Sequence, residues 1–494
     1  MGLGTIFIAT AIAALLLTAF MDFGLHKVKS WFLSFFQNFA GALFVFSGAV
    51  KAIDPLGTAY KMEQYFEQFE VVFKDTWFSF LAPLFPKFAE YSASFSVFMI
   101  VFEIVLGLFL LIGAYRKFTA WAFLLLVGFF TFLTGFTYLT GYVPEGVNFF
   151  QFGQWGSYVE SNMKVTDCGC FGDFIKLKPK ISFFKDLFLL IPAFLFLFRS
   201  KHMHALFSAP MNLGLAVIST ALLTVYCMSN FVWNLPDVDF RPFKVGVNIR
   251  EQMQAELDAL NAVDILEYKM TNKKTGEVVE LPYDQYMKEF QKYPGEEWEL
   301  EQVKSEPTVS QTKLSEFEVS DLVGSNVTEA ILADSNYSFM VIAYKLYGGE
   351  DTTVIITSTD TLYVPDTIRM ANTIQIARKA AGVQERRDTI KTKTWKDEGY
   401  LKAWKEKINP VLMAGKKEGL NGYAITAYLD AQTIGSFRQK IGAEYPFYTA
   451  DDILLKTIIR SNPGLVLMKN GKVVMNWHYR QLPDYAKIKE KFLK

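Results

Sequence analysis

Six apolar runs, each close to the length a helix needs to cross hydrocarbon, limit this chain more than any other feature. They are Thr5–Phe23, Trp31–Val50, Phe95–Ala114, Thr119–Tyr142, Phe183–Phe198 and Leu213–Val232. A span takes about 20 largely apolar residues. Backbone groups in lipid must pair inside their own segment, so each run is expected to be a helix. The first run has no basic residues ahead of it and no clean small-x-small site after it. It reads as a retained helix and not as a cleaved signal. Thr76–Pro86 is apolar but short and carries two prolines, so it reads as interfacial or re-entrant.

The charges divide the chain. Of its 100 Lys, Arg, Asp and Glu residues, 28 lie in the first 230 positions and 72 in the last 264. The expected organisation is a membrane helix bundle over 1–232, a linker with irregular strands over 233–315, and a water-soluble α/β domain over 316–494. Net charge is zero, which gives no sign of a nucleic-acid partner. The short loops around His26–Lys29, Tyr115–Lys117 and Arg199–His202 fall on one side and each carries a basic pair. That side is expected to be cytoplasmic, which turns the loop before the fifth run and the C-terminal half outward.

Three cysteines in 494 residues exclude a disulfide-rich framework, a zinc ribbon and an iron–sulfur ferredoxin. Four histidines are too few for a rich metal site, and no metal is expected. No phosphate loop, dinucleotide fingerprint or Ser–His–Asp order is present. Two of the three cysteines stand one residue apart in Thr166-Asp167-Cys168-Gly169-Cys170-Phe171-Gly172-Asp173, between two apolar runs. A pair closed across one glycine makes a small strained ring, easier to reduce than a relaxed disulfide. Cys168 and Cys170 are therefore the candidate catalytic residues for thiol–disulfide exchange. Asp167 and Asp173 oppose thiolate formation, and no basic residue adjoins the pair in sequence. Cys227, inside an apolar run, reads as a small buried hydrophobe. Glu103 lies inside the third run. A carboxylate in lipid is costly, so it is expected to face the bundle interior, either handling protons or bonding another helix. Lys185 and Asp186, at the mouth of the fifth run, read as interface anchors. The Phe-rich stretch 129–153 reads as lipid-facing packing.

The block Phe44-Val45-Phe46-Ser47-Gly48-Ala49-Val50-Lys51-Ala52-Ile53-Asp54-Pro55 through Lys61, together with Asp167–Asp173 and Phe183-Phe184-Lys185-Asp186, resembles the DoxX/MauE-like integral membrane proteins in the form found in Bacteroidota. The likeness covers about residues 30–245. It implies a four-helix core, here extended by the Thr5–Phe23 helix in front and the 213–232 helix behind. It also implies the bacterial inner membrane and an association with redox chemistry.

In the last part of the chain, Ser338–Tyr344 and Gly422–Tyr428 read as buried central strands separated by a helix over Leu401–Glu418. Lys469-Asn470-Gly471-Lys472 reads as a hairpin turn between two more strands. Asp484–Leu493 reads as a closing helix. Tyr445–Asp451 and Ser461–Met468 resemble the thioredoxin-like fold of the peroxiredoxin/TlpA type, with Pro463 in the place of that fold's cis-proline. Where active thioredoxins carry Cys-x-x-Cys, this chain has Tyr344–Asp351 and no cysteine. An insertion over about 349–397 is expected to hold a strand at Thr353–Thr357 and a basic helix at Met370–Arg387. His478 reads as polar surface.

Two functions fit these readings best, with a small-ligand or ion cavity around Glu103 as a third. In one, Cys168 and Cys170 relay electrons between a periplasmic thiol protein and an acceptor, a quinone in the helix bundle being one such acceptor, while the cysteine-free domain docks the partner. In the other, the bundle anchors a non-catalytic scaffold subunit of an envelope secretion or assembly complex.

Overall fold

The computed structural model describes residues 2–493 except Glu306, Ser310, Ala371, Asn372 and Leu429, and gives the backbone alone at most positions between 353 and 392. The chain forms two compact units, Met1–Arg241 and Pro242–Lys494.

The first unit is helical: α1 (Leu3–Ala19), α2 (Trp31–Ile53), α3 (Pro55–Lys74), α4 (Leu84–Glu90), α5 (Ser92–Ile112), α6 (Arg116–Thr140), α7 (Pro179–Arg199) and α8 (Ala209–Met228). Among the described residues, six helices are long and apolar enough to cross a membrane: α1, α2, α5, α6, α7 and α8, several with an added turn. Their outward faces are lined with exposed Leu, Ile, Val and Phe, including Ile8, Leu16, Phe98, Leu125, Ile191 and Leu222. Such surface fits a lipid environment and marks a membrane protein. The basic loops meet at one end, where Lys29 Nζ and Arg116 donate to the Lys201 carbonyl at 3.4 and 3.2 Å.

The segment after α2 holds a helix that the apolar runs do not mark. It is the 20-residue helix α3. Pro55 opens it and Asp54 caps it, accepting from Gly57 N at 3.1 Å. Its charges keep it out of the spanning class, while Tyr65 and Phe69 turn inward. Thr76–Pro86 becomes a single short helical turn at Ser79–Leu81 followed by the start of α4, and no span.

The second unit begins with α9 (Ile249–Asn261), followed by β1 (Ile265–Asn272), β2 (Val278–Pro282), α10 (Tyr283–Glu289) and β3 (Trp298–Lys304). These strands pair antiparallel in the order β2-β1-β3. The stretch read as a linker with irregular strands thus carries two helices and a regular three-stranded sheet. Then follow α11 (Thr328–Leu332), β4 (Tyr337–Ala343), β5 (Gly349–Met370), β6 (Thr373–Trp395), α12 (Glu398–Ala403), α13 (Asn409–Lys417), β7 (Asn421–Thr426), α14 (Ala431–Ile441), β8 (Phe447–Thr449), α15 (Asp452–Ile458), β9 (Gly464–Lys469), β10 (Lys472–His478) and α16 (Tyr485–Phe492).

The central sheet runs β10-β9-β4-β7-β8, with β4, β7 and β8 parallel and β9 and β10 antiparallel. It is an α/β unit packed around Phe339, Val341, Trp404, Phe437, Phe447 and Ile488. The Asn470–Gly471 turn has both residues at positive φ, as a two-residue hairpin requires. The Asn462–Pro463 bond is cis. The chain before α9 joins the β9–β10 turn, with Ile249 N donating to Gly471 O at 2.8 Å.

β5 and β6 form a long two-stranded ribbon, paired from Gly349↔Trp395 to Met370↔Thr373. From Thr373 on, the stretch expected to be a basic helix is strand. Gly382 weakens a helix there, and pairing with the Thr- and Ile-rich β5 overrides the helix-favouring Ala and Arg residues.

Candidate functional site

The Cys168–Cys170 loop lies between α6 and α7 and is held from three sides. Gly169 and Gly172 adopt φ of +61° and +53°, a region where only glycine sits without strain. The Asp167 carboxylate accepts from Gly169 N at 3.2 Å and closes a tight turn. Lys61 of α3 reaches Asp167 Oδ2 at 3.2 Å. Ser47 of α2 donates to the Cys170 carbonyl at 2.8 Å. Phe171, buried beside Phe46, plugs the loop into the bundle.

Beneath the loop lies a cavity of about 350 Å³, within the range of small-molecule sites. Cys168, Gly169 and Cys170 line it, and so do the side chains of α2, α3, α5, α6 and α7. Much of its apolar wall is aromatic, including Phe66 and Phe69 from α3, Phe85 and Phe88 from α4, Phe95 from α5 and Phe130 from α6. Phe88 and Phe95 are each 38% exposed, so this wall reaches the outer face of the bundle.

Two ion pairs interrupt the apolar lining. Lys51 Nζ lies 2.7 Å from Glu103 Oε2, with side chains 8% and 3% exposed. Lys185 Nζ lies 2.7 Å from Asp186 Oδ1, at 8% and 2%. Thr134 Oγ1 of α6 donates to the second Asp186 oxygen at 3.0 Å. The ammonium groups also sit over rings, Lys51 at 5.2 Å from Phe130 and Lys185 at 5.9 Å from Phe171. A charged residue at a helix centre costs about 2.5–3.5 kcal/mol on insertion scales, so pairing is what makes these four tolerable.

The sulfurs sit in unlike surroundings. Burial pushes the Cys168 thiol up to about 12, and the neighbouring Cys170 and Asp167 add to the shift. Burial also raises the Cys170 thiol, but Lys185 and Lys51 act against it. Ser182 of α7 acts against the upward shift of both thiols. At neutral pH both sulfurs therefore rest as thiols, and Cys170 is the one that faces ammonium groups. Tyr65 joins the rim, its hydroxyl 3.0 Å from Thr137 Oγ1.

The three membrane residues singled out from sequence, Cys168, Cys170 and Glu103, thus meet at one cavity. Pro463 and His478 belong to the other unit. His478 is buried at 3% and accepts from Arg480 N, so it is not polar surface. Cys227 is buried among Ala52, Val97 and Ile100, away from the other cysteines. Lys185 and Asp186 are not interface anchors; both are buried cavity residues. The Phe-rich stretch divides: Phe132 is exposed, Phe129 is part exposed and lines the cavity with Phe130, and Phe136 packs on Phe69 and Phe149. Lys51, Lys61 and Ser182 escaped the sequence reading. The usable signal for the first was a lysine in an otherwise apolar run that also needed a partner for Glu103. Among the described residues, no group of three or more His, Cys, Asp or Glu is placed to hold a metal ion.

No family model matches this chain, and neither a curated protein nor a solved structure matches it.

Proposed function

We propose that this is a membrane thiol oxidoreductase of DoxX/MauE type, which takes electrons from partner thiols into the Cys168–Cys170 pair and passes them to a quinone in the bundle cavity. One observation carries the reading: both cysteines line the same cavity, and its aromatic wall reaches the surface of the bundle through Phe88 and Phe95. A lipid-soluble quinone, when bound, supplies two carbonyl oxygens that accept two electrons and two protons. The balance is closed: two S–H bonds break, one S–S bond forms and two O–H bonds form.

The chain's own residues divide the work. Gly169 allows the turn that brings the sulfurs together. Ser47 and Lys61 hold the loop over the cavity. The aromatic wall takes an apolar ring and keeps water out. The pair of thiols is regenerated when a partner dithiol attacks the Cys168–Cys170 disulfide through a mixed disulfide. Basic loops at the opposite end of the bundle support a cytoplasmic placement for that end, hence a periplasmic cysteine loop in a bacterial inner membrane. By the parity of six spans, the second unit follows on the cysteine side. We read that unit as thioredoxin-like from its β10-β9-β4-β7-β8 order, and as a docking module because residues 242–494 contain no cysteine.

The test uses the full chain in lipid nanodiscs, reduced and then mixed with a water-soluble quinone. Free thiols at 168 and 170 are expected to disappear with quinone and persist without it. A Cys170→Ser protein is expected to trap, through Cys168, a mixed disulfide with an envelope protein supplied in its disulfide form, by the reverse of that exchange. Thiols that persist in the presence of quinone would overturn the reading.

A further inference from the structure

We infer that Lys51–Glu103 and Lys185–Asp186 together form a proton-transfer site that serves the Cys170 sulfur and the carbonyl oxygens of the cavity's ligand. The inference rests on the quinone reading for its second half and is independent of it for the first.

Three observations and one general argument converge on it. The two pairs come from three helices, α2, α5 and α7, yet line one cavity. Each ammonium has its own carboxylate at 2.7 Å, so each unit can release a proton at one atom and recover it at another. Cys170 lines that same cavity with both pairs, and the positive charges of Lys185 and Lys51 favour its thiolate. Finally, a purely structural role explains the cluster poorly, because buried ion pairs are often replaceable by apolar residues without loss of stability.

The step balances within the dithiol chemistry. As electrons leave the sulfurs, the proton from each thiol passes to a carboxylate oxygen of Glu103 or Asp186. Lys51 and Lys185 each deliver one proton from Nζ to a ligand oxygen and regain it from the paired carboxyl group. Both pairs end as they began. Cys170 requires such help because burial holds it as a thiol at neutral pH.

The experiment has two arms on the full chain in nanodiscs. In the first, a Lys51→Met/Glu103→Leu protein is compared with wild type for quinone-driven oxidation of Cys168 and Cys170. The expected result is a retained melting temperature, a KM within a few-fold, and a kcat lowered by about 100-fold or more, the usual size of an acid–base contribution. Should the apolar pair fail to fold, Glu103→Gln keeps a hydrogen bond to Lys51 and reads the same loss. In the second arm, no quinone is present. Alkylation of Cys170 by iodoacetamide is timed in a Cys168→Ser background, with and without Lys185→Met. Removal of Lys185 is expected to slow it by about tenfold, one pKa unit of thiolate. Wild-type kcat in folded Lys51 and Glu103 variants, or an unchanged alkylation rate, would overturn the inference. A wild-type protein that ignores quinone but alkylates as expected would sink the acceptor alone and leave the Cys170 half standing.

Discussion

Gly41 and Gly107 bring α2 and α5 into backbone contact: a Cβ on Gly107 would lie 2.9 Å from the Gly41 carbonyl oxygen and 2.9 Å from Val45 N. One turn beyond Val45, a Cβ on Gly48 would collide with the Ile104 side chain. Small residues at such a seam let membrane helices approach closely. The same approach carries Lys51 onto Glu103, since both lie just past the glycine contacts. Gly107→Leu is therefore expected to force the seam apart, costing about 1–3 kcal/mol as overpacking does. A melting curve of the detergent-solubilised protein checks this, and an unchanged midpoint would show that the helices yield without cost.

The cysteine loop has its own signature in pH. Cys168 is raised to about 12 by burial, so little of it is thiolate at neutral pH. Because the shift is upward, alkylation of Cys168 in the folded protein is expected to keep accelerating through about pH 10, well beyond the ordinary thiol value of about 8.5. Unfolding the protein in denaturant should return the midpoint to that ordinary value. Rates measured by mass spectrometry across the pH range decide it, and levelling near the ordinary value in the folded state would contradict the burial of this sulfur.

Ser47 ties the loop to α2 through the Cys170 carbonyl. Ser47→Ala removes one hydrogen bond, worth about 1 kcal/mol, and leaves that carbonyl unpaired on this side. The expected outcome is a modest loss of thermal stability together with faster alkylation of Cys170, because the loop lifts from the bundle. Lower stability with unaltered alkylation would mean that Lys61 and Phe171 hold the loop without Ser47.

The membrane half was legible because hydropathy acts through composition alone. Six runs became six helices, and a carboxylate inside one of them marked the interior. What stayed hidden was whatever depends on neighbours distant in sequence. Lys51 and Lys185 look like helix-end lysines until folding sets them beside Glu103 and Asp186. The α3 helix was missed because its charges break the apolar pattern while Asp54 and Pro55, which start it, also suit a loop. In the second unit, Ser338–Tyr344 declared a central strand by being apolar throughout. Residues 373–395 misled because Ala and Arg favour helix locally, whereas β5 supplies a partner that only the folded chain provides.

Glu256 shows the same blindness in a stretch read as linker. It lies on α9 with no exposed surface and accepts from Thr312 N at 3.0 Å and Thr312 Oγ1 at 2.7 Å. Those two bonds fasten the segment after β3 to α9. Glu256→Ala leaves a backbone N–H and a hydroxyl without their acceptor, at a cost of about 1–3 kcal/mol. Glu256→Gln keeps one carbonyl acceptor and is expected to lose less. Limited proteolysis reads the difference: cleavage between residues 304 and 314 should quicken in the alanine protein and change little in the glutamine one, while quinone-driven oxidation of the cysteine pair stays at the wild-type rate. Equal cleavage of all three proteins would mean that Glu256 is buried without fastening anything.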